Sequence, residues 1–372
     1  MKKRSLDIYR FIAMMLVMFG HFVGTGMYAS TIDGVIQTPM EKGILEWTNT
    51  LVGLDQFIYF KLHTQAACVG VVMFFLCTGF LIPGMLKRYT RKGFLVNRLC
   101  RIYPCLIVSV IIVVIIPLFT QGIRFGADQI ITSMTLTFEL TGSVACMGIL
   151  WTLVVEMLFY LFAAAVKDFS EHTPVLILLA AVLAGLIYEM YDKKLLYNLF
   201  YNLRYMGFCA VGAMISVTFD DKELSFSRKA VRILGCFLAN YLVFRANQTL
   251  IGDDTVYPNL TTQLLPFALL LLLLTLEKKS PRLFEKIPGR NILYHLASLV
   301  YPVYLTHVCV GFTVMYYVSR ATGSNNAVTL LSGVAASFII AEVVAVFIEK
   351  PSIKLSRRAV SKLEHHNTHE EQ

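Results

Sequence analysis

The chain reads as an all-α polytopic membrane bundle, and three observations support that reading. Hydrophobic residues make up 56% of its 372 residues and charged residues only 15%, with a mean hydropathy of +0.64; a water-soluble domain of this size carries more charge. The apolar residues gather in runs long enough to cross a bilayer as helices. The basic residues lie between those runs, and strongly on one side. Of the 33 Lys and Arg residues, the segments assigned outside hold only Lys42, Lys61, Arg124, Lys193, Lys194, Arg204, Arg245 and Arg320, as the positive-inside rule requires. The same distribution tells against nucleic acid as the partner of a chain with net charge +9.

Ten runs are expected to cross, at roughly 6–27, 66–86, 100–119, 147–166, 174–191, 199–218, 230–247, 261–277, 292–317 and 327–349. The first follows Met1-Lys2-Lys3-Arg4, which sets the N-terminus in the cytoplasm. It is too long for a signal peptide and has no small-residue cleavage site. A long outer loop, 28–65, follows; its Asp33, Glu41, Glu46, Trp47 and Asp55 suit a polar-aromatic lid or a plain surface loop. The second run ends at the basic stretch KRYTRKGFLVNRLCR, which leads into the third. The fourth opens near Met147. The fifth and sixth are parted only by Tyr191 to Asn198. Basic segments at 222–232 and 277–290 bound the seventh and eighth. The ninth and tenth complete the bundle and return the C-terminus to the cytoplasm. One integral domain, 1–355, is therefore expected, with a charged and disordered cytoplasmic tail, 356–372. The tail's His365, His366 and His369 carry no functional weight. The eight cysteines show no metal spacing and read as small packing residues.

Ionisable residues inside such runs cost free energy, so their default reading is functional. Arg10 and His21 stand in the first run. At about 100° and 1.5 Å per residue they share a helical face, roughly 16 Å apart, so they do not touch. Asp7, three residues before Arg10, can hold the guanidinium. By the same rise, His21 and His307 each lie about 22 Å above the inner face, and Glu156 about 14 Å below the outer one. In a core about 30 Å thick these heights agree, so the three form a polar centre if their helices are neighbours. Nearer the inner face, Arg98 and Arg101 stand at the mouth of the third run, level with Arg10. Anchoring accounts for such a pair. With Arg10, three converging guanidiniums also suit a polyphosphate, which arginine grips bidentately. Thr78 lies about 12 Å above the inner end of the second run.

Six segments, in order, resemble motifs of the integral-membrane acyltransferase-3 family. SLDIYRFIAMMLVMFGH resembles LDxxRxxA…H, VMFFLCTGFLI resembles FFxxSGFLI with Thr78 for Ser, and RLCRIYP resembles RxxRIYP. LWTLVVEMLFYLF resembles WSLxxExxFYLL, with Glu156 at the acidic position. SLVYPVYLTH resembles SYSLYLxH, with Val300 and Pro302 for serines, and FIEKP matches the close of YRFIEKP. The resemblance runs from residue 5 to about 355. It implies O-acylation of cell-surface polysaccharides in the inner membrane. The donor would be a cytoplasmic acyl-CoA, usually acetyl-CoA, bound as co-substrate and not as a permanent cofactor. The acceptor would be an extracytoplasmic or lipid-linked sugar. No fused esterase-like domain is expected in a chain of this length.

On that reading Arg10, Arg98 and Arg101 hold the CoA phosphates and Thr78 lines the path of the pantetheine arm, which threads along the first helix. His21 acts as general base or covalent acyl carrier. Glu156 orients or charge-stabilises the imidazole, or binds the acceptor. His307, Tyr301 and Tyr304 serve the acceptor side, although interfacial packing also accounts for the tyrosines. A secondary transporter or a non-catalytic polysaccharide-export component is the alternative, since either carries midplane charges. The absence of an internal repeat tells against the transporter, and the absence of a Walker-type loop against an ATPase. The acceptor's identity, and acetyl against succinyl, stay open at this stage.

Overall fold

The computed structural model describes residues 3–25, 31–32, 36–37, 53–54, 57–58, 61–62, 64–190, 193–252, 259–322 and 326–370. The outer loop's Asp33, Glu41, Glu46, Trp47 and Asp55 lie outside the described residues. A two-residue antiparallel pair, β1 (Thr31–Ile32) with β2 (Ile36–Gln37), follows the first helix; the other elements among the described residues are helical. Among the described residues seven helices are long and apolar enough to cross a membrane, or eight if one bent pair counts as a span. Apolar side chains exposed on the outside of the bundle, such as Phe119, Leu183 and Phe347, suit a lipid surface; the protein is a multi-pass membrane protein.

The first run forms α1 (Arg4–Phe19) and then loosens into a π-helical turn over Gly20–Thr25. The second forms α2 (Ala66–Leu86). The third is longer than its apolar core, because α3 (Arg91–Gln121) starts within the basic stretch, where the Thr90 side chain accepts from the Gly93 amide. Arg98 and Arg101 thus stand inside a helix and not at its mouth. Short outer helices α4 (Ala127–Thr135) and α5 (Phe138–Thr141) lead to α6 (Trp151–Val166) and α7 (Thr173–Met190). The sixth run is not one helix. It breaks between α8 (Lys193–Leu203) and α9 (Met206–Phe219), where the Arg204 guanidinium lies 3.8 Å from the Tyr201 ring centre and 4.9 Å from that of Phe244. A cation is cheaper against aromatic faces than in lipid.

Then come α10 (Phe226–Leu250) and α11 (Leu260–Lys279). The ninth run is bent by 53° between α12 (Arg290–Ser298) and α13 (Val300–Thr306). Pro302 explains the break: it has no N–H for the preceding turn and fits the first turn of a new helix. A second π turn, His307–Gly311, leads to α14 (Phe312–Ala321). The last run, α15 (Asn326–Val344), passes through a third π turn, Ala345–Glu349, into α16 (Lys350–Glu370). The stretch after 355, expected to be disordered, is therefore helical through Glu370. Charge alone suggested disorder, but Ser356 and Val360 lie one turn apart and are 1% and 4% exposed, and α16 packs along α3.

Small residues set the closest crossing. A Cβ on Gly79 of α2 would strike the Cys209 carbonyl of α9, and one on Gly212 would strike that of Leu76. Membrane helices approach closely through such residues. At one end of the bundle Lys3 and Lys278 both bind Asp220, at 2.9 and 3.3 Å. Partial burial draws the Asp220 carboxyl upward, but the two ammonium groups outweigh it and hold it below the usual carboxylate range. All eight cysteines are free, and six of them are buried.

Candidate active site

Helices α1, α2, α3, α6, α13 and α16 enclose a cavity of about 380 Å³. Its wall carries five guanidinium groups, those of Arg10, Arg88, Arg98, Arg101 and Arg357. Arg98 is 8% exposed. Its Nη2 donates to Asn97 Oδ1 at 2.7 Å, and its guanidinium lies 5.6 Å from the centre of the Tyr160 ring. Its Nε has no hydrogen-bond partner among the described residues. Asn97 in turn donates to Ser356 Oγ at 3.2 Å, which fastens α16 to the cavity wall. Glu349, 6% exposed in the third π turn, interacts electrostatically with Arg101 and Arg10. A buried, cationic wall with an orphaned donor fits an anionic ligand with several oxygens.

Farther along, Glu156 accepts from Tyr160 OH and, at 3.3 Å, from Thr78 Oγ1. The far end is aromatic. Phe74, twelve residues before the end of α2 and so about 18 Å along its axis, meets Tyr304 edge to face, with ring centres 5.7 Å apart. Tyr304 OH pairs with Thr152 Oγ1 at 2.8 Å and donates to the Ile149 carbonyl at 3.3 Å. Tyr301 OH donates to the Ile102 carbonyl at 2.9 Å and ties α13 to α3.

The two histidines meet beside this end. His21 Nδ1 lies 2.8 Å from His307 Nε2. The ring centres are 5.1 Å apart and the planes 9° apart. A short N···N contact with that centre separation means the rings lie in line, edge to edge, and not face to face. His307 is fully buried, and its Nδ1 lies 3.1 and 2.8 Å from the carbonyls of Val303 and Tyr304. Phe22 packs beside it, with ring centres 6.0 Å apart. Each histidine belongs to a π turn, a feature frequent at functional sites.

Of the residues singled out in the sequence, Arg10, Thr78, Arg98, Arg101, Glu156, Tyr301 and Tyr304 line one cavity. His21, His307 and Asp7 do not. The expected continuous passage from the arginines to His21 is not seen: the cavity lining includes Phe74 and Tyr304 but not His21. His21 is the second residue of the π turn that follows Phe19, and it stands outside the cavity lining. Glu156 does not orient His21: its partners are Thr78 and Tyr160, and His307 takes the place beside the imidazole. Asp7 lies in the first turn of α1, outside the cavity lining. The sequence reading missed Arg88 and Arg357. Arg88 was hidden among anchoring cations, and Arg357 lay in a segment taken as disordered.

The chain matches the family model Acyl_transf_3, an acyltransferase domain, over residues 3–346. It belongs to the acyltransferase-3 family and is a membrane-embedded acyltransferase. No curated protein and no solved structure gives a match.

Proposed function

We propose that this acyltransferase takes an acyl group, of acetyl size, from cytoplasmic acyl-CoA. It passes the group to a hydroxyl of an extracytoplasmic or lipid-linked sugar of a cell-surface polysaccharide. It works in the cytoplasmic membrane with both termini inside. The observation that supports this most is the joining of a five-arginine cavity, at its aromatic end, to a histidine pair through one residue. Tyr304 lines the cavity with its side chain and accepts from His307 with its backbone.

In this reading Arg10, Arg88, Arg98, Arg101 and Arg357 hold the phosphates. The pantetheine arm runs past Thr78, Glu156 and Tyr160 towards Tyr304. Phe74 and Tyr304 part to let the thioester reach His21. His21 takes the proton of the acceptor hydroxyl as that oxygen bonds to the thioester carbonyl carbon. The tetrahedral intermediate then collapses, the C–S bond breaks, and the leaving thiolate takes the proton back from the imidazolium. The products are an ester and CoA thiol. Glu156, which accepts from the Thr78 and Tyr160 hydroxyls, sets the side chains around the arm.

The test incubates the purified protein in vesicles with radiolabelled acetyl-CoA and surface glycan. Label in the glycan, lost with His21→Ala in a protein that still inserts, is the expected result. A transporter or export component gives no labelled glycan, and that outcome would overturn the proposal.

A further inference from the structure

Hydrogen-bond donors and acceptors at the histidine pair can be assigned without seeing a hydrogen. The carbonyls of Val303 and Tyr304 can only accept. His307 Nδ1 faces both, at 3.1 and 2.8 Å, so Nδ1 carries the proton. In a neutral ring Nε2 is then unprotonated and can only accept. It lies 2.8 Å from His21 Nδ1, which must therefore be the donor. In the neutral pair, the lone pair of His21 stands on Nε2, which has no hydrogen-bond partner among the described residues. The contacts fit this arrangement: His307 is 0% exposed, and no carboxylate pairs with either ring among the described residues. A doubly protonated pair would place N–H against N–H.

We infer that His307 is a positioning residue that locks His21 in the Nδ1–H tautomer, so that Nε2 is the nitrogen that reacts. The inference rests on the reading of His21 as the base. It adds a direction to that reading, since the opposite tautomer would turn the lone pair towards His307 and away from any substrate. It also gives the imidazolium a partner. When His21 holds the acceptor's proton on Nε2, its Nδ1–H still donates to His307, whose own Nδ1–H is held by two carbonyl dipoles. The positive charge is thus shared along a chain of hydrogen bonds ending on the backbone. The same chain serves a covalent route, in which Nε2 attacks the thioester carbon and thiolate leaves; the Nδ1 proton of the acyl-imidazolium then has an acceptor in His307 Nε2.

The local backbone is built for this contact. Both rings belong to π turns, Gly20–Thr25 and His307–Gly311. A Cβ on Gly311 would strike the Phe22 ring, so this glycine lets Phe22 settle against His307.

The experiment compares His307→Gln with His307→Met in the full-length protein. Gln places a carbonyl oxygen near the position of Nε2 and can accept from His21 Nδ1–H; Met cannot. His307→Met should lose 10²- to 10⁴-fold in kcat, on the order of a general base's contribution, with the KM for acyl-CoA unchanged. His307→Gln should recover at least tenfold of that loss. Wild-type kcat in His307→Met, or equal loss in both variants, would overturn the inference. If His21→Ala keeps full activity, the reading of His21 as base fails instead, so the two failures are separable. Nitrogen-15 NMR of the wild-type protein, with His21 assigned through His21→Gln, needs no folded His307 variant. It should place the His21 proton on Nδ1; a proton on Nε2 would overturn the inference.

Discussion

Arg98 separates a ligand-binding arginine from an anchoring one, because the two roles predict different effects on the free protein. Its side chain is 8% exposed and has one charge-assisted bond, to Asn97, one aromatic face, that of Tyr160, and an orphaned Nε. No ion pair holds it among the described residues. Arg98→Met keeps the length and the packing and removes the cation. If the guanidinium binds a CoA phosphate, losing that charge-assisted bond costs about 1.5–3 kcal/mol, and at about 1.4 kcal/mol per decade the CoA dissociation constant rises roughly 10- to 150-fold. In the free protein the same change removes a buried donor without a partner, a group that costs about 1–3 kcal/mol, and gives up the bond to Asn97, worth about as much. The melting temperature without CoA should therefore stay near wild type, while the rise produced by CoA shrinks. Calorimetric titration with CoA and thermal unfolding with and without it measure both. Arg4→Met is the control, because Arg4 pairs with Glu285 at 2.9 Å outside the cavity; its CoA affinity should match wild type. An Arg98→Met protein that binds CoA normally but melts well below wild type would show a structural arginine and refute the reasoning.

Tyr304→Phe removes the hydroxyl that pairs with Thr152 and Ile149 while leaving ring and backbone in place; CoA affinity should stay within about twofold and turnover should change, since only the far end of the cavity is altered. Equal turnover would remove Tyr304 from the path. Gly79→Ala drives a methyl group into the Cys209 carbonyl and should cost about 1–3 kcal/mol of stability by overpacking, read as a lower unfolding temperature with a normal CoA response in the surviving protein. Glu139 of α5 is 4% exposed; burial pushes its carboxyl up to about 7, the hydrogen bond from Asn202 offsetting part of the rise. A carboxyl raised on folding stabilises fully below its unfolded value of 4.5 and loses that stability as pH climbs through about 7. Glu139→Gln should therefore flatten the loss between pH 5 and 8, by up to about 3 kcal/mol; an unchanged pH profile of unfolding would exclude Glu139 as its source.

The helices most readable in the sequence are those whose apolar runs end on strong signals. The run 66–86 matches α2 at both ends because Gln65 precedes it and Lys87-Arg88 follows it, and neither belongs in lipid. The run 292–317 reads as one crossing, but Pro302 divides it. Hydropathy averages over a window and is blind to a missing N–H. The tail after 355 was misread for the opposite reason. Its charges dominate the composition, yet Ile353, Ser356 and Val360 recur at helical spacing and turn one face inward. Arg10, Thr78, Arg98, Arg101 and Glu156 gathered in one cavity because they lie in regular α-helix, where distance along the axis follows from residue number at about 1.5 Å each; Tyr301 and Tyr304 reach the same cavity from beyond the bend.

The histidines depart from that rule for a physical reason that bears on function. A π turn leaves no mark in the hydrophobic pattern, and neither does the neighbour that a residue within it meets. Depth follows from residue number, but the partner across the bundle depends on how the helices are arranged. Hence the matching heights of His21 and His307 read correctly from sequence, while the neighbour expected for His21, Glu156, did not. A π turn also lengthens the backbone hydrogen-bond step from i+4 to i+5, which withdraws a carbonyl from the helical ladder where it begins. At the second π turn the His307 imidazole donates to the carbonyls of Val303 and Tyr304, the last turn of α13. The last turn of α13 therefore supplies the acceptors that fix the His307 proton, and through it the His21 lone pair. Tyr304 belongs to both features, with its carbonyl in this chain of hydrogen bonds and its ring in the cavity wall.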